Sequence, residues 1–167
     1  WEEYTAREDE TVIRMDPGMA FGTGTHETTR LVMRIMQDEI KGGERVLDVG
    51  TGSGILSICA SKLGAVSCHA YDIDPVAVKV AKENAENGGC TNITVGQSDL
   101  LRGVDKSAGK FDFCVANIVA DIIVRMMPDI SDYITEDAPL ILSGIIEQRA
   151  DMVRESLREH GFRILRE

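Results

Sequence analysis

Short apolar runs and amphipathic stretches alternate along nearly the whole chain. Val46, Leu47 and Val49 predict a strand over 46–49, and glycines at 50, 52 and 54 follow it at once. Residues 55–63 read as a largely buried helix capped by Gly64. A second strand is expected over 67–71, and Pro75 suits the first turn of a helix that runs to about 87 and closes at Gly88 and Gly89. Strands are expected again over 93–95 and 111–116. Ile122, Ile123, Met126, Met127 and Ile130 then recur at helical spacing, with Pro128 as a site for a kink or break. A fifth strand over 139–142, a helix face marked by Met152, Val153, Ser156 and Leu157, and a sixth strand over 162–165 complete the pattern. Upstream, Leu31, Val32, Ile35 and Met36 predict a leading helix, and residues 1–15 a linker with a strand.

Strand and helix alternating along nearly the whole chain imply an α/β fold: a mostly parallel central sheet with helices on both faces, in one domain over 16–167. Sheets of this kind bind ligands beyond the carboxyl ends of their strands, near the point where strand order reverses. The segments after Val49, Tyr71, Val95 and Ala116 are therefore the places to look for chemistry.

The composition narrows the partners. The 167 residues hold 18 basic and 28 acidic side chains, a formal charge of −10. Phosphate backbones attract the opposite sign, so direct nucleic-acid binding is not expected, whereas a cationic partner would be steered inward. No apolar run is long enough to span a bilayer, and no membrane association is expected. Cys59, Cys68, Cys90 and Cys114 lie in or beside apolar stretches without CxxC spacing, as expected of reduced thiols in a cytoplasmic protein with no metal site. The chain opens at Trp1 rather than at methionine, which reads as a fragment.

Asp48-Val49-Gly50-Thr51-Gly52-Ser53-Gly54 is the most specific feature. Glycines let a ligand approach the main chain, and the helix that follows points free N–H groups toward it. A dinucleotide fingerprint needs its third glycine one residue later, where Ile55 stands, and Asp48 would bring an acid near an anionic pyrophosphate. S-Adenosylmethionine carries a sulfonium and an ammonium instead, and both tolerate a carboxylate. Asp72 ends the second strand 22 positions after Gly50, where an acid can accept the ribose hydroxyls, with Ile73 beside it. Asp99 and Leu100, after the third strand, are candidates for reading the adenine.

These residues resemble the class I S-adenosylmethionine-dependent methyltransferases, and one family fits more closely. The run Asp16-Pro17-Gly18-Met19-Ala20-Phe21-Gly22-Thr23-Gly24-Thr25-His26-Glu27-Thr28-Thr29 is similar to the signature ahead of the catalytic core in the PrmA family, which methylates a ribosomal protein of the large subunit. Ala116-Asn117-Ile118-Val119-Ala120 and Leu142-Ser143-Gly144-Ile145 match that family's exits from the fourth and fifth strands. The resemblance implies cofactor contacts at Thr29, Gly50, Asp72 and Asn117, joined by Phe21, Gly22, Thr23, Gly52, Gly54, Ile73, Asp99 and Leu100. It implies methylation of the substrate's amino-terminal amine and lysines, and an amino-terminal substrate-gripping domain outside this chain. Phe21 among glycines would serve as an apolar lid, and His26 reads as a structural residue at a helix entry.

Methyl transfer needs a neutral amine. A lysine costs about 4.6 kcal/mol to deprotonate at pH 7 and an amino terminus about 1 kcal/mol. No strong base stands out, so catalysis is expected to work by positioning, with Asn117 either orienting the amine or holding the cofactor. The fourth-strand exit lacks the Asn-Pro-Pro-Tyr run typical of amide and nucleobase methylation. Three rivals remain at this point: a nicotinamide-dependent oxidoreductase, a cofactor-binding module without turnover, and a methyltransferase for small amines.

Overall fold

The computed structural model describes residues 5, 7, 8, 10–13 and 26–167. Five parallel strands form one sheet in the order β3-β2-β1-β4-β5. They are β1 (Arg45–Val49), β2 (Ser67–Asp72), β3 (Ile93–Gln97), β4 (Phe113–Asn117) and β5 (Leu140–Ser143). Order reverses between β1 and β4, whose carboxyl ends lie side by side through the pairs Asp48–Val115 and Val49–Ala116. That junction is where such a sheet opens a crevice.

Five helices cover the sheet: α1 (Glu27–Glu39), α2 (Ile55–Lys62), α3 (Pro75–Asn87), α4 (Ala120–Ile130) and α5 (Glu147–Glu159). Successive residues of a strand face opposite ways, so β1 feeds two cores. Val46 joins Cys68, Phe113, Val115 and Ile141 beneath α1 and α2, through Val32, Met36, Ile55 and Cys59. Leu47 and Val49 join Tyr71, Cys114 and Ala116 beneath α4 and α5, through Ile123, Met127, Ile130 and Val153. α3 lies beside α2, against β2 and β3. Continuously apolar strands are what a sheet buried on both faces requires.

Local signals set the helix ends. Asp74 caps α3 by accepting the Val76 N–H at 2.8 Å, and Pro75 occupies the first turn as expected. Gly64 follows α2, where the Ala65 N–H returns to the Ala60 carbonyl; Cys90 does the same to Ala85 after α3. α4 is not divided at Pro128; it runs through the proline and ends at Ile130.

One strand prediction fails. Residues 162–167 form no ladder. The Phe162 N–H bonds back to Leu157, and the segment is then held by side chains: Arg154 grips Glu167 with two 2.7 Å bonds, and Arg166 reaches Asp38 at 3.7 Å. A strand needs a paired neighbour and a buried face, yet Leu165 is 79% exposed. The fourth strand also starts later than expected, because Phe111 makes only an isolated bridge to Ile134. Of the leading strand, residues 10–13 are described and are not in a strand; the remainder of that prediction lies outside the described residues.

Candidate active site

A cavity of about 1040 Å³ opens across the carboxyl ends of the strands, centred on the β1–β4 junction. Thr29, Gly50, Gly52, Asp72, Ile73, Asp99, Leu100 and Asn117 all line it. The sheet thus gathers residues from five separate predictions into one place. Phe21, Gly22 and Thr23 lie outside the described residues. Gly54 is not on the cavity wall. It sits at the foot of α2, where a Cβ would come within 3.1 Å of Ala81 on α3, so its smallness serves helix packing.

The loop between β1 and α2 is fastened to the end of β2. The Gly50 and Thr51 N–H groups donate to the Tyr71 carbonyl at 2.8 and 2.9 Å, and the Gly52 N–H donates to Asp72 Oδ2 at 2.9 Å. Asp72 Oδ1 accepts the Asp74 N–H at 3.0 Å. Each carboxylate oxygen keeps a second lone pair for a ligand hydroxyl. The same bonds bear on ligand choice. A pyrophosphate would need the loop's N–H groups, and those of Gly50, Thr51 and Gly52 are already taken, so the loop does not suit a dinucleotide.

Asp48 acts elsewhere than expected. Its carboxylate is fully buried beneath α2, where Oδ2 accepts the hydroxyls of Thr51 at 2.7 Å and Ser57 at 2.8 Å. It does not line the cavity, because alternation along β1 turns it with Val46 toward the helix side. Burial pushes its pKa up to about 6, against the opposing pull of those two hydroxyls. Asp48 therefore fixes the loop from behind and does not face a sulfonium.

The remaining predicted residues divide by wall. Ile73, 63% exposed, and Leu100 offer apolar surface on the β2–β3 side. Leu100 adopts a left-handed backbone, φ 53°, rare for a side chain of its shape, in a turn where Ser98 Oγ donates to the Leu100 carbonyl at 2.8 Å and accepts the Gly103 N–H. Asp99 faces Arg102 at 3.3 Å and Arg125 at 4.0 Å. On the opposite side Asn117 Nδ2 donates to the buried Thr29 Oγ1 at 3.5 Å, joining β4 to α1. His26 is the N-cap of α1, its Nδ1 accepting the Thr28 N–H, and it also lines the cavity. Sequence reasoning missed Arg125, Val119 and Ile146 on the cavity wall. Their positions depend on how α4 and α5 meet the sheet, and helical periodicity alone does not show that.

An α/β sheet in this order with its crevice at the β1–β4 junction is the Rossmann-like methyltransferase fold. The precorrin-6y C5,15-methyltransferase of Geobacter metallireducens shares it at a TM-score of 0.69, 17% identity, 78% of this chain and 71% of that one, a likeness in fold alone. The chain belongs to the ribosomal protein L11 methyltransferase (PrmA) family, whose model matches residues 1–167. It is 50% identical to the ribosomal protein L11 methyltransferase of Streptococcus agalactiae serotype V over 163 residues, covering 97% of this chain and 50% of that protein. The Caldanaerobacter subterraneus subsp. tengcongensis protein of the same name is also 50% identical, over 159 residues, with 95% and 50% covered. The crystal structure of a ribosomal protein L11 methylase from Lactobacillus delbrueckii subsp. bulgaricus superimposes at a TM-score of 0.91 with 41% identity, covering 99% of this chain and 84% of that one. The chain spans about half the length of the curated relatives it matches.

Proposed function

We propose that this chain transfers methyl groups from S-adenosylmethionine to the amino-terminal amine and lysine side chains of ribosomal protein L11. The observation that carries the cofactor half is the fastened glycine loop. Its N–H groups are spent on Tyr71 and Asp72, while Asp72 retains lone pairs facing the cavity. That donor and acceptor set fits a nucleoside with free ribose hydroxyls and a cationic centre rather than linked phosphates. Asp72 would hold the ribose, Ile73 and Leu100 the faces of the adenine with Asp99 at its edge, and Thr29 and Asn117 the methionyl end. When bound, the cofactor supplies an electrophilic methyl group on sulfur.

The protein's own part is to bind, orient and dry the site. Buried Thr29 restrains the Asn117 amide beside the cavity, so its polar atoms act from a fixed place. Apolar walls at Ile118 and Ile145 exclude water from the reacting amine. The substrate half rests on the family and on charge: a net −10 suits a cationic partner better than a phosphate backbone. Among the described residues no helix is long and apolar enough to cross a membrane, and a ribosomal protein substrate would be met in the cytoplasm.

Calorimetric titration with S-adenosylhomocysteine and with NADH tests the cofactor. Tight binding of the dinucleotide alone would overturn the reading. Label transfer from S-adenosylmethionine to ribosomal protein L11 tests the substrate, using the chain alone and the chain fused to the part of its Streptococcus agalactiae relative that it does not cover. Binding without transfer in both forms leaves a cofactor-binding module in place of an enzyme.

A further inference from the structure

Val119 and Ile146 are two exposed lips of the cavity wall, 60% and 62% exposed, one on the exit from β4 and the other on the exit from the adjoining β5. Each is also the N-cap of the helix that follows, with extended backbone and no side-chain capping bond. Two independent preferences are therefore set aside at once. N-caps favour Ser, Thr, Asp or Asn, and an apolar side chain left more than half exposed gains little from burial. When local stability is given up twice at the rim of one cavity, the side chains are placed for something that enters it.

Resting on the proposed amine methylation, we infer that Val119 and Ile146 grip the aliphatic stem of a substrate lysine and set the enzyme's preference for lysine over an amino-terminal amine. Behind the lips, Ile118, Ile122 and Ile145 continue the apolar wall toward Asn117. A lysine carries four methylenes between backbone and nitrogen, which such a wall can sheathe, and a desolvated passage favours the neutral amine over the ammonium. An amino-terminal amine has no stem to hold. Charge supplies the approach: Asp121 and Glu147 lie in the first turns of α4 and α5, one beside each lip. Arg149, 3.7 Å from Asp121, offsets part of that field, and the chain's net −10 restores its sign.

The test is the pair Val119→Thr and Ile146→Thr, made singly and together in whichever of the two forms above transfers methyl. Threonine keeps a β-branched shape but wets the lip and supplies the missing cap, so folding is not at risk. Mass spectrometry of ribosomal protein L11 reads lysine and amino-terminal methylation separately, while calorimetry reads S-adenosylhomocysteine affinity and a melt reads Tm. Lysine methylation is expected to fall about tenfold per substitution and amino-terminal methylation to change less than about twofold, with Tm unchanged or higher. A parallel fall at both amines, or no fall at either, overturns the grip. A wild-type protein that binds cofactor yet labels neither amine removes the parent reading, and this one with it.

Discussion

The Asn84 amide, buried on α3, donates to the Ser53 carbonyl at 2.8 Å and so ties the tip of the glycine loop to a helix 31 residues away. The loop is thus held from two sides, by β2 through Tyr71 and Asp72 and by α3 through Asn84. Replacing Asn84 with alanine removes the second tie and opens a small void. We expect a loss of about 1–3 kcal/mol in urea unfolding and a several-fold weaker affinity for S-adenosylhomocysteine. Unfolding that shifts while cofactor affinity stays level would separate Asn84 from the loop.

Gly50 gives a sharper test of the site's packing. Its φ is 73°, and a Cβ added there would come within 2.3 Å of Ile118 Cγ2. Gly50→Ala therefore meets both backbone strain, on the order of 1 kcal/mol, and a clash across the β1–β4 junction. Truncating Ile118 to alanine removes the clashing atom and leaves the strain. The double variant is expected to bind S-adenosylhomocysteine better than Gly50→Ala alone, a non-additivity that calorimetric titration of the four proteins reads directly. Strict additivity would mean that Ile118 does not limit the loop.

Much of this architecture is legible in the sequence. Short apolar runs placed β1 to β5, and Pro75 with Gly88 set the ends of α3, because those signals are local. The glycine loop and Asp72 were found by spacing, since the rise of β2 fixes where its last residue stands relative to the loop. What was not legible is what depends on a facing element. The sequence sets Asp48 beside the glycine loop as an acid that a cationic cofactor tolerates, and only its partners Thr51 and Ser57 show that it is a buried support. No sequence signal singles out Asn84, whose partner Ser53 lies 31 residues away. Phe162 and Ile164 had a strand's alternation without a strand's neighbour. Family resemblance supplied Thr29 and Asn117, which no local pattern singled out, and the cavity then brought them together.

Asp72 is the acceptor on which both the loop and the proposed ribose contact depend. Asn in its place keeps one carbonyl oxygen but turns the other position into a donor, which opposes either the Gly52 N–H or the Asp74 N–H. Each charge-assisted bond lost is worth about 1.5–3 kcal/mol, so Asp72→Asn should weaken S-adenosylhomocysteine binding by roughly a hundredfold. Circular dichroism should show the sheet intact, because Asp72 lies at the end of β2 and outside both cores. Unchanged affinity in that variant would remove Asp72 from the cofactor site.

Asp48 makes stability depend on pH in a direction opposite to that of a salt-bridged acid. Burial raises its pKa from an ordinary value near 3.8 to about 6, while Thr51 and Ser57 oppose the shift and the nearby Asp72 charge adds to it. Between these two values the folded protein holds the proton and the unfolded chain has released it. Stability from this group is therefore greatest below about pH 4, falls as pH rises to about 6 and is level above that; the whole change is roughly 3 kcal/mol. Other carboxylates titrate across the same window, so the informative quantity is a difference. Asp48→Asn cannot titrate, and the wild type's unfolding free energy measured relative to it should decline from pH 4 to pH 7 by an amount of that order. Urea unfolding of both proteins at half-unit intervals checks this. Parallel curves would mean that the carboxylate reaches solvent, and the account of a loop supported from beneath α2 by a buried acid would fail with it.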